Sequence, residues 1–308
     1  MPDKAYKGLM IPKVCVLLST YNGEKYIKTL IESVLTQKNV EVFICVRDDG
    51  STDSTCDILK EYEGKGYLKW FAGNNIGPAQ SFLALVDKED GFDYYSFADQ
   101  DDLWLEDKLD IAINSIKRYD DIPTLYYGAA RVADRDLNWN GTHTREYYIS
   151  SFSQAVVQSN AVGCTCVFNR LLRNIIAKSK PDYIFMHDAW VHKTCIISGG
   201  KLIFDKDVHV LYRQHGNNVV GSKRNLGTKI KDYIRKIQTK ECVRSRQITS
   251  LLNCYEDIMS AEDIIIAQNV SRYRIDKQCK REILSGSIKT GYWLLDAKFK
   301  LAVLLEVF

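Results

Sequence analysis

The chain has 308 residues, of which 45% are hydrophobic and 26% are charged, and its formal net charge is +3. These values predict an ordinary globular protein of one or two domains. No apolar stretch reaches the roughly 20 residues that a membrane span requires, so no transmembrane segment is predicted. The nine cysteines include no Cys-x-x-Cys pair, and their odd number predicts reduced thiols in a cytosolic protein.

In the first half of the chain, short apolar runs alternate with amphipathic segments. Strands are predicted from the apolar runs at residues 14–18, 42–46, 68–72, 94–97 and 124–127. Helices are predicted between them, at residues 24–35, 54–62, 79–86 and 105–118. Strands that alternate with helices predict an α/β fold with a mostly parallel sheet and right-handed crossovers.

The second half is less regular until it becomes helical. Residues 147–215 have an irregular pattern, with strand-like runs at 202–204 and 208–212. Helices are predicted at residues 226–238, at 241–267 in whole or in parts, and at 288–307. We therefore predict a boundary at residues 218–225, between an α/β domain at 1–220 and a helical region at 221–308.

Polar residues follow each of the first four predicted strands. These loops read Ser-Thr-Tyr-Asn-Gly at 19–23, Asp-Asp-Gly-Ser at 48–51, Gly-Asn-Asn-Ile-Gly at 73–77 and Asp-Gln-Asp-Asp at 99–102. Ligands of open α/β sheets bind at the carboxyl ends of the strands. Four such loops therefore predict a single polar crevice along one edge of the sheet.

Three carboxylates crowd the loop at 99–102, directly after a buried strand. Charges at the edge of a core usually pair or hold a metal, and carboxylate oxygens suit Mg²⁺ or Mn²⁺ that serves a phosphate. A solvated turn that caps the next helix is the alternative interpretation. No Gly-x-Gly-x-x-Gly and no Gly-Lys-Ser/Thr follows the first strand, which disfavours dinucleotide enzymes and P-loop NTPases.

Together these motifs resemble glycosyltransferase family 2, whose fold is the Rossmann-like GT-A fold. The resemblance extends over about residues 12–220. Three downstream segments agree with it: Gly-Cys-Thr at 163–165, His-Asp-Ala-Trp at 187–190 and Tyr-Arg-Gln-His-Gly-Asn-Asn at 212–218. The last of these is similar to the bacterial rhamnosyltransferase branch. The resemblance implies a GT-A sheet flanked by helices, with a C-terminal helical extension.

The resemblance also implies a role for each matched residue. Asp188 matches the catalytic base, and Asp101 and His215 match ligands of a Mn²⁺ or Mg²⁺ ion. The residues implied in nucleotide-sugar binding are Thr20, Tyr21, Asn22, Asp48, Asp49, Asn75, Asp99, Gln100 and Arg213. The family usually has Glu-Asp where this chain has His187-Asp188, which leaves the role of His187 open. We expect Asp102 to cap the helix that follows.

The function that the resemblance implies is inverting, metal-dependent glycosyl transfer. Its donor would be dTDP-L-rhamnose, with UDP-linked hexoses as the main alternative. Its acceptor would be a lipid-linked precursor of a cell-surface polysaccharide, at the cytoplasmic face of the cell membrane. A nucleotidyltransferase is the rival class, but the loop at 19–23 lacks the basic, glycine-rich sequence which that class requires. A non-catalytic scaffold is a third alternative, disfavoured by intact Asp101, Asp188 and His215.

Residues 223–246 carry nine Lys or Arg against two acidic residues, a local net charge of +7. A solvated helix face is one interpretation, and nucleic-acid binding is disfavoured because no pattern of stacking aromatics accompanies the charges. Near the C-terminus, apolar residues alternate with Lys289, Lys298 and Lys300. That pattern predicts peripheral contact with an anionic membrane; packing on the α/β domain or in a homodimer is the competing interpretation.

Overall fold

A computed structural model describes residues 11–143, 149–214, 235 and 238–308 of the chain. The strands are β1 (Lys13–Thr20), β2 (Glu41–Asp48), β3 (Leu68–Ala72), β4 (Tyr94–Asp99), β5 (Leu103–Trp104), β6 (Thr124–Ala133), β7 (Trp139–His143), β8 (Val167–Asn169) and β9 (Lys201–Arg213). The helices before β9 are α1 (Ile27–Leu35), α2 (Thr55–Gly64), α3 (Pro78–Lys88), α4 (Lys108–Ile116), α5 (Phe152–Val157), α6 (Arg170–Lys178) and α7 (His187–Ile197). Those after β9 are α8 (Val243–Tyr255), α9 (Ala261–Arg272), α10 (Lys277–Glu282) and α11 (Trp293–Leu304).

The nine strands of the described residues belong to one sheet, in the order β3-β2-β1-β4-β8-β6-β9-β5, with β7 paired to β6. The neighbours β3, β2, β1 and β4 are parallel, as the alternation of strands and helices predicts. The short strand β8 runs antiparallel to both β4 and β6, and β5 runs antiparallel to β9. The α/β architecture with flanking helices and a helical C-terminus is confirmed, but the sheet is mixed.

Both faces of the sheet are buried, which explains why its strands read as continuous apolar runs. In β1, Cys15 and Leu17 point to the core that contains Phe82 of α3. Val14, Val16 and Leu18 point to the opposite core, formed with α1, α2 and α4. Successive side chains of a strand alternate between faces, so β1 packs into both cores. This packing holds β1 in place up to its last residue, Thr20.

Several predicted boundaries shift in the structure. Residues 202–204 and 208–212 belong to the single strand β9, whose pairing with β6 is interrupted by irregular register. The segment 241–267 is divided between two helices, α8 and α9. The boundary predicted at 218–225 and most of the helix predicted at 226–238 lie outside the described residues.

The C-terminal helices pack on the α/β sheet through the core that also holds α3 and α7. Leu251 of α8, Val270 of α9 and Val303 of α11 are fully buried in that core. One face of α11 therefore packs on the α/β domain, which was one of the two interpretations of the apolar C-terminus. No helix within the described ranges is long and apolar enough to cross a membrane.

Candidate active site

The loops after β1 and β4 are joined by the side chain of Gln100. Its Oε1 accepts hydrogen bonds from Thr20 Oγ1 at 2.6 Å and from the Tyr21 amide at 2.9 Å. Its Nε2 donates to the Tyr21 carbonyl at 3.1 Å. A Cβ on Gly23 would collide with Gln100 Oε1 and lie 2.9 Å from Thr20 Oγ1, so glycine at this position leaves room for the bond between them. Gln100 and Thr20, which the resemblance places at the nucleotide, hold these two loops together.

Asn22 connects the loop after β1 to the loop after β2. Its backbone has a positive φ of 50°, which asparagine tolerates better than most residues. Its amide donates to Ser51 Oγ and its Oδ1 accepts from the Thr52 amide, both at 2.8 Å. Asp48 organises the same turn, because its Oδ2 accepts from the Ser51 amide at 2.8 Å.

Asp49 holds the loop after β3. Its carboxylate is 3% exposed, forms a short ion pair with Arg47 and accepts from the amides of Ile76 and Gly77 at 3.1 and 2.9 Å. Asn75 lies in the loop so formed and is exposed. The structure therefore brings the predicted nucleotide-binding residues to one edge of the sheet, with Tyr21 and Asn75 exposed and Asp48 and Asp49 turned inward.

Four carboxylates converge beside this edge, and we call Asp99, Asp101, Asp102 and Asp188 the carboxylate cluster. Burial, followed by the charges of Asp101 and Asp188, raises the pKa of Asp99 to about 7. Burial and the charges of Asp101 and Asp99 raise the pKa of Asp102 well above its usual value. Negative charge is thus concentrated where the end of β4 meets the start of α7.

Arg213, at the end of β9, supports this cluster through the main chain. Its Nε donates to the Asp101 carbonyl at 2.6 Å, and its guanidinium lies 4.6 Å from the ring centre of Tyr26. Asp102 Oδ1 accepts from the Arg213 amide at 3.0 Å. Asp102 therefore ties the β4 turn to β9, in place of the expected helix cap. Arg213 itself is only 5% exposed.

The carboxylates of this cluster, but not the neighbouring thiol, suit a hard divalent cation. Ligand atoms of Asp99, Asp102 and Cys164 all lie within 4.8 Å of one another, and Asp101 belongs to the same turn. Burial raises the pKa of the Cys164 thiol well above its usual value, so this soft ligand stays protonated and the oxygens of the three aspartates are the donors for Mg²⁺ or Mn²⁺. The pKa of Asp99 is raised first by burial and then by the charges of Asp101 and Asp188; a bound Mg²⁺ or Mn²⁺ would neutralise that negative charge through carboxylate oxygens. The other predicted ligand, His215, lies outside the described residues.

Asp188 is placed by the N-terminal turn of α7. The Ala189 amide donates to its Oδ1 at 2.5 Å. Burial raises the pKa of Asp188 to about 6, while hydrogen bonds from the Ala189 and Gly163 backbone and the charge of Lys193 act in the opposite direction. The carboxylate is therefore mostly ionised at neutral pH and close to the range of an effective general base.

His187 is a packed, neutral ring. It is 4% exposed, and its ring centre lies 4.0 Å from that of Phe82 and 4.8 Å from that of Phe97. Burial lowers its pKa to about 3. A Cβ on Gly163 would lie 2.6 Å from its Nε2. His187 thus fixes the first turn of α7, which carries Asp188.

Sequence reasoning missed Lys193, which is buried one turn beyond Asp188. It is 6% exposed, and burial together with the charge of Arg244 lowers its pKa to about 7. The signal was a single lysine within the otherwise weakly charged segment from His187 to Ile197. Such a group beside a candidate base is a candidate functional residue.

Comparisons with known proteins place this geometry in context. The Glycosyl transferase family 2 model matches residues 15–179. The dTDP-rhamnosyl transferase RfbG of Shigella flexneri is 28% identical over 263 residues, covering 78% of this chain and 85% of RfbG. The putative teichuronic acid biosynthesis glycosyltransferase TuaG of Bacillus subtilis is 35% identical over 101 residues, covering 32% of this chain and 40% of TuaG.

Solved structures agree at the level of the fold. Residues 1–349 of S. aureus TarS, in complex with UDP-GlcNAc, align with a TM-score of 0.56 at 17% identity, covering 96% of this chain and 82% of that one. The mannosyltransferase PcManGT of Pyrobaculum calidifontis, in complex with GDP-Man and Mn²⁺, gives 0.51 at 15% identity, with coverages of 96% and 81%. The predicted GT-A fold is confirmed.

Replacing Asp188 by Asn should stabilise the protein at high pH. The folded-state pKa of about 6 lies above the usual 3.8, so the partly buried charge destabilises the fold fully above pH 6 and not below pH 4. We expect Asp188→Asn to raise the free energy of unfolding by about 1–3 kcal/mol at pH 8, and by less at pH 4.5, in urea titrations. The control Asp57→Asn, 79% exposed, should change it little; equal effects at both pH values would contradict the assignment.

Replacing Gly163 by Ala should displace His187 and lower stability. Overpacking of this kind costs about 1–3 kcal/mol, measured by thermal unfolding. Gly64→Ala is the matched control, because no atom lies within 4 Å of the added methyl and the position is helical; it should be neutral or stabilising. Equal melting temperatures for the two variants would show that His187 is not held against Gly163.

Proposed function

The chain belongs to glycosyltransferase family 2, and from that premise we propose that it is an inverting, metal-dependent rhamnosyltransferase. Its donor is dTDP-L-rhamnose and its acceptor is a lipid-linked polysaccharide precursor. The observation that carries the proposal is the convergence of Asp188 with the carboxylates at the end of β4. Burial and then the charges of Asp101 and Asp188 raise the pKa of Asp99 to about 7, and burial alone raises the pKa of Asp188 to about 6. A base and a cation site then face one reaction centre.

In this mechanism Asp188 takes the proton of the acceptor hydroxyl. The hydroxyl oxygen forms a bond to the anomeric carbon while the bond from that carbon to the diphosphate breaks, with a single inversion. A divalent cation, when bound, would neutralise the negative charge that develops on the diphosphate. Asp99, Asp101 and Asp102 are proposed to hold it, with His215 as the further ligand that the motif implies.

The nucleoside is proposed to lie on the loops after β1, β2 and β3. Tyr21 and Asn75 are exposed there, while Thr20, Asn22 and Gln100 fix the backbone around them. Asp48 and Asp49 fix the next two loops. We propose that these five residues shape the nucleoside pocket through the loops they fix, and that Arg213 contributes through its bond to the Asp101 carbonyl.

The identity of the donor sugar rests on relatives. The name of RfbG gives dTDP-rhamnose as its donor, and RfbG matches most of this chain. TarS binds UDP-GlcNAc and PcManGT binds GDP-Man, so a UDP-hexose remains the second candidate. A lipid-linked acceptor would place the enzyme at the cytoplasmic face of the cell membrane. A homodimer stays a prediction.

The donor can be identified by thermal shift with a panel of nucleotide sugars and Mn²⁺. A ligand that binds only the folded state raises the melting temperature, by about 5 °C at a hundredfold excess over Kd. We expect dTDP-L-rhamnose to give the largest shift, and Asp101→Asn to remove the dependence on Mn²⁺. Asp57→Asn is the control. A larger shift with a UDP-hexose would show that the donor is a UDP-hexose and not dTDP-L-rhamnose. An unchanged Mn²⁺ effect in Asp101→Asn would show that Asp101 is not a ligand of the cation.

Asp188→Asn should abolish transfer while donor binding persists. Loss of a general base costs about 10²–10⁴-fold in rate, measured as kcat with the preferred donor. In the unmodified enzyme, kcat/KM should fall as the pH drops through about 6, because Asp188 becomes protonated. Activity that is retained in Asp188→Asn would assign the proton transfer to another group.

A further inference from the structure

The last helix, α11, buries one side and exposes an apolar stripe on the other. Phe299 and Val303 of α11 are 3% and 0% exposed, within the core. The exposed stripe has large fractional exposures: Trp293 76%, Leu294 53%, Leu301 48% and Leu304 55%. At 3.6 residues per turn these four side chains occupy an arc of about 100°. An exposed apolar surface of this kind marks an interaction site.

Lysines border this stripe on both sides. By helical periodicity Lys298 lies beyond Leu294 on one border, and Lys300 lies beyond Trp293 on the other. Lys289 lies near Lys300, because both side chains approach Gly286: a Cβ built there would lie 3.0 Å from Lys289 Cε and 3.8 Å from Lys300 Nζ. Long basic side chains beside an apolar stripe are typical of helices that lie at an anionic membrane surface.

A cationic cavity adjoins the C-terminal end of α11. Its volume is about 500 Å³, and four of its lining residues are basic against one acidic: Arg235, Lys240, Arg246 and Arg274, with Glu241. Lys240 Nζ donates to the Leu305 carbonyl at 3.0 Å, directly after α11. Two Ser and two Thr residues also line the cavity, together with Cys242 and Tyr273. Arginines and hydroxyls together suit a phosphate group.

We propose that the stripe and the cavity form one docking surface for a membrane that contains anionic phospholipid. The stripe enters the membrane interface, and the cavity takes a phosphate headgroup. The sequence segment 223–246 has a net charge of +7 and includes Arg235, Lys240 and Arg246 of the cavity; its charge adds to the attraction. The inference rests on the proposed function in one respect: an enzyme with a lipid-linked acceptor has to work at a membrane surface.

Charge favours a membrane over a second copy of the chain. A two-fold interface through the stripe would place identical surfaces against each other. Lys298 and Lys300 of the two copies would then lie close together, at a cost from like-charge repulsion. An anionic lipid surface instead complements both the bordering lysines and the cavity.

Vesicle co-sedimentation of the full chain, without donor or acceptor, tests the proposal. Phosphatidylcholine vesicles that contain phosphatidylglycerol should bind the protein at least about tenfold more tightly than phosphatidylcholine alone. The double variant Trp293→Ser/Leu301→Ser should weaken binding to both kinds of vesicle. The double variant Arg246→Gln/Arg274→Gln should reduce only the additional affinity that phosphatidylglycerol provides. Trp139→Ser, which removes another exposed tryptophan, is the control. Unchanged binding in both double variants would overturn the proposal.

Two parallel measurements separate other outcomes. Thermal unfolding without any ligand should give the same melting temperature for both double variants as for the unmodified protein, which shows that they fold and keeps this test independent of the proposed reaction. Light scattering without lipid should give one oligomeric state throughout; a dimer that Trp293→Ser/Leu301→Ser dissociates would overturn the membrane assignment. Stabilisation by inorganic phosphate without any capture by vesicles would also overturn it.

Discussion

The removal of neighbouring carboxylates from water near the end of β4 is the constraint around which this molecule is arranged. Asp99 and Asp188 come from distant parts of the chain, and each has a raised pKa mainly because it is buried. A fold that keeps such charges together loses stability at neutral pH. The surrounding contacts, from Gln100 on one side and Arg213 on the other, hold the cluster in place despite that cost.

The polar residues at the strand ends divide into two kinds. Gln100, Asp48 and Asp49 have their polar atoms bonded to neighbouring loops, so they fix backbone positions. Tyr21 and Asn75 are exposed on the loops so fixed. His187 acts similarly for the base, because its ring packs between Phe82 and Phe97 at the start of α7. A rigid, preorganised site of this kind lowers the cost of reorganisation during transfer.

The sequence predicted the four parallel strands and their polar ends because apolar runs and loop composition are local signals. It did not predict β8, which has three residues and is defined by its partners. Nor did it predict that Gln100 binds Thr20, 80 residues away in the chain, or that Asp102 accepts from Arg213. Such pairings depend on strand register, which apolar patterning constrains only weakly. The family motif indicated Asp188 as the base, but only the fold shows its charge coupled to that of Asp99.

The most direct test of this account is the number of protons released when Mn²⁺ and dTDP bind at pH 6.5. It is obtained by calorimetry in buffers of different ionisation enthalpy. Because the pKa of Asp99 is raised to about 7, that carboxyl is mostly protonated in the free protein and must ionise to hold a cation. Protons released by dTDP and Asp102 are common to both proteins, so the account predicts that the unmodified protein releases roughly 0.5–1 proton more than Asp99→Asn. Binding without proton release, or the same release in Asp99→Asn, would contradict it.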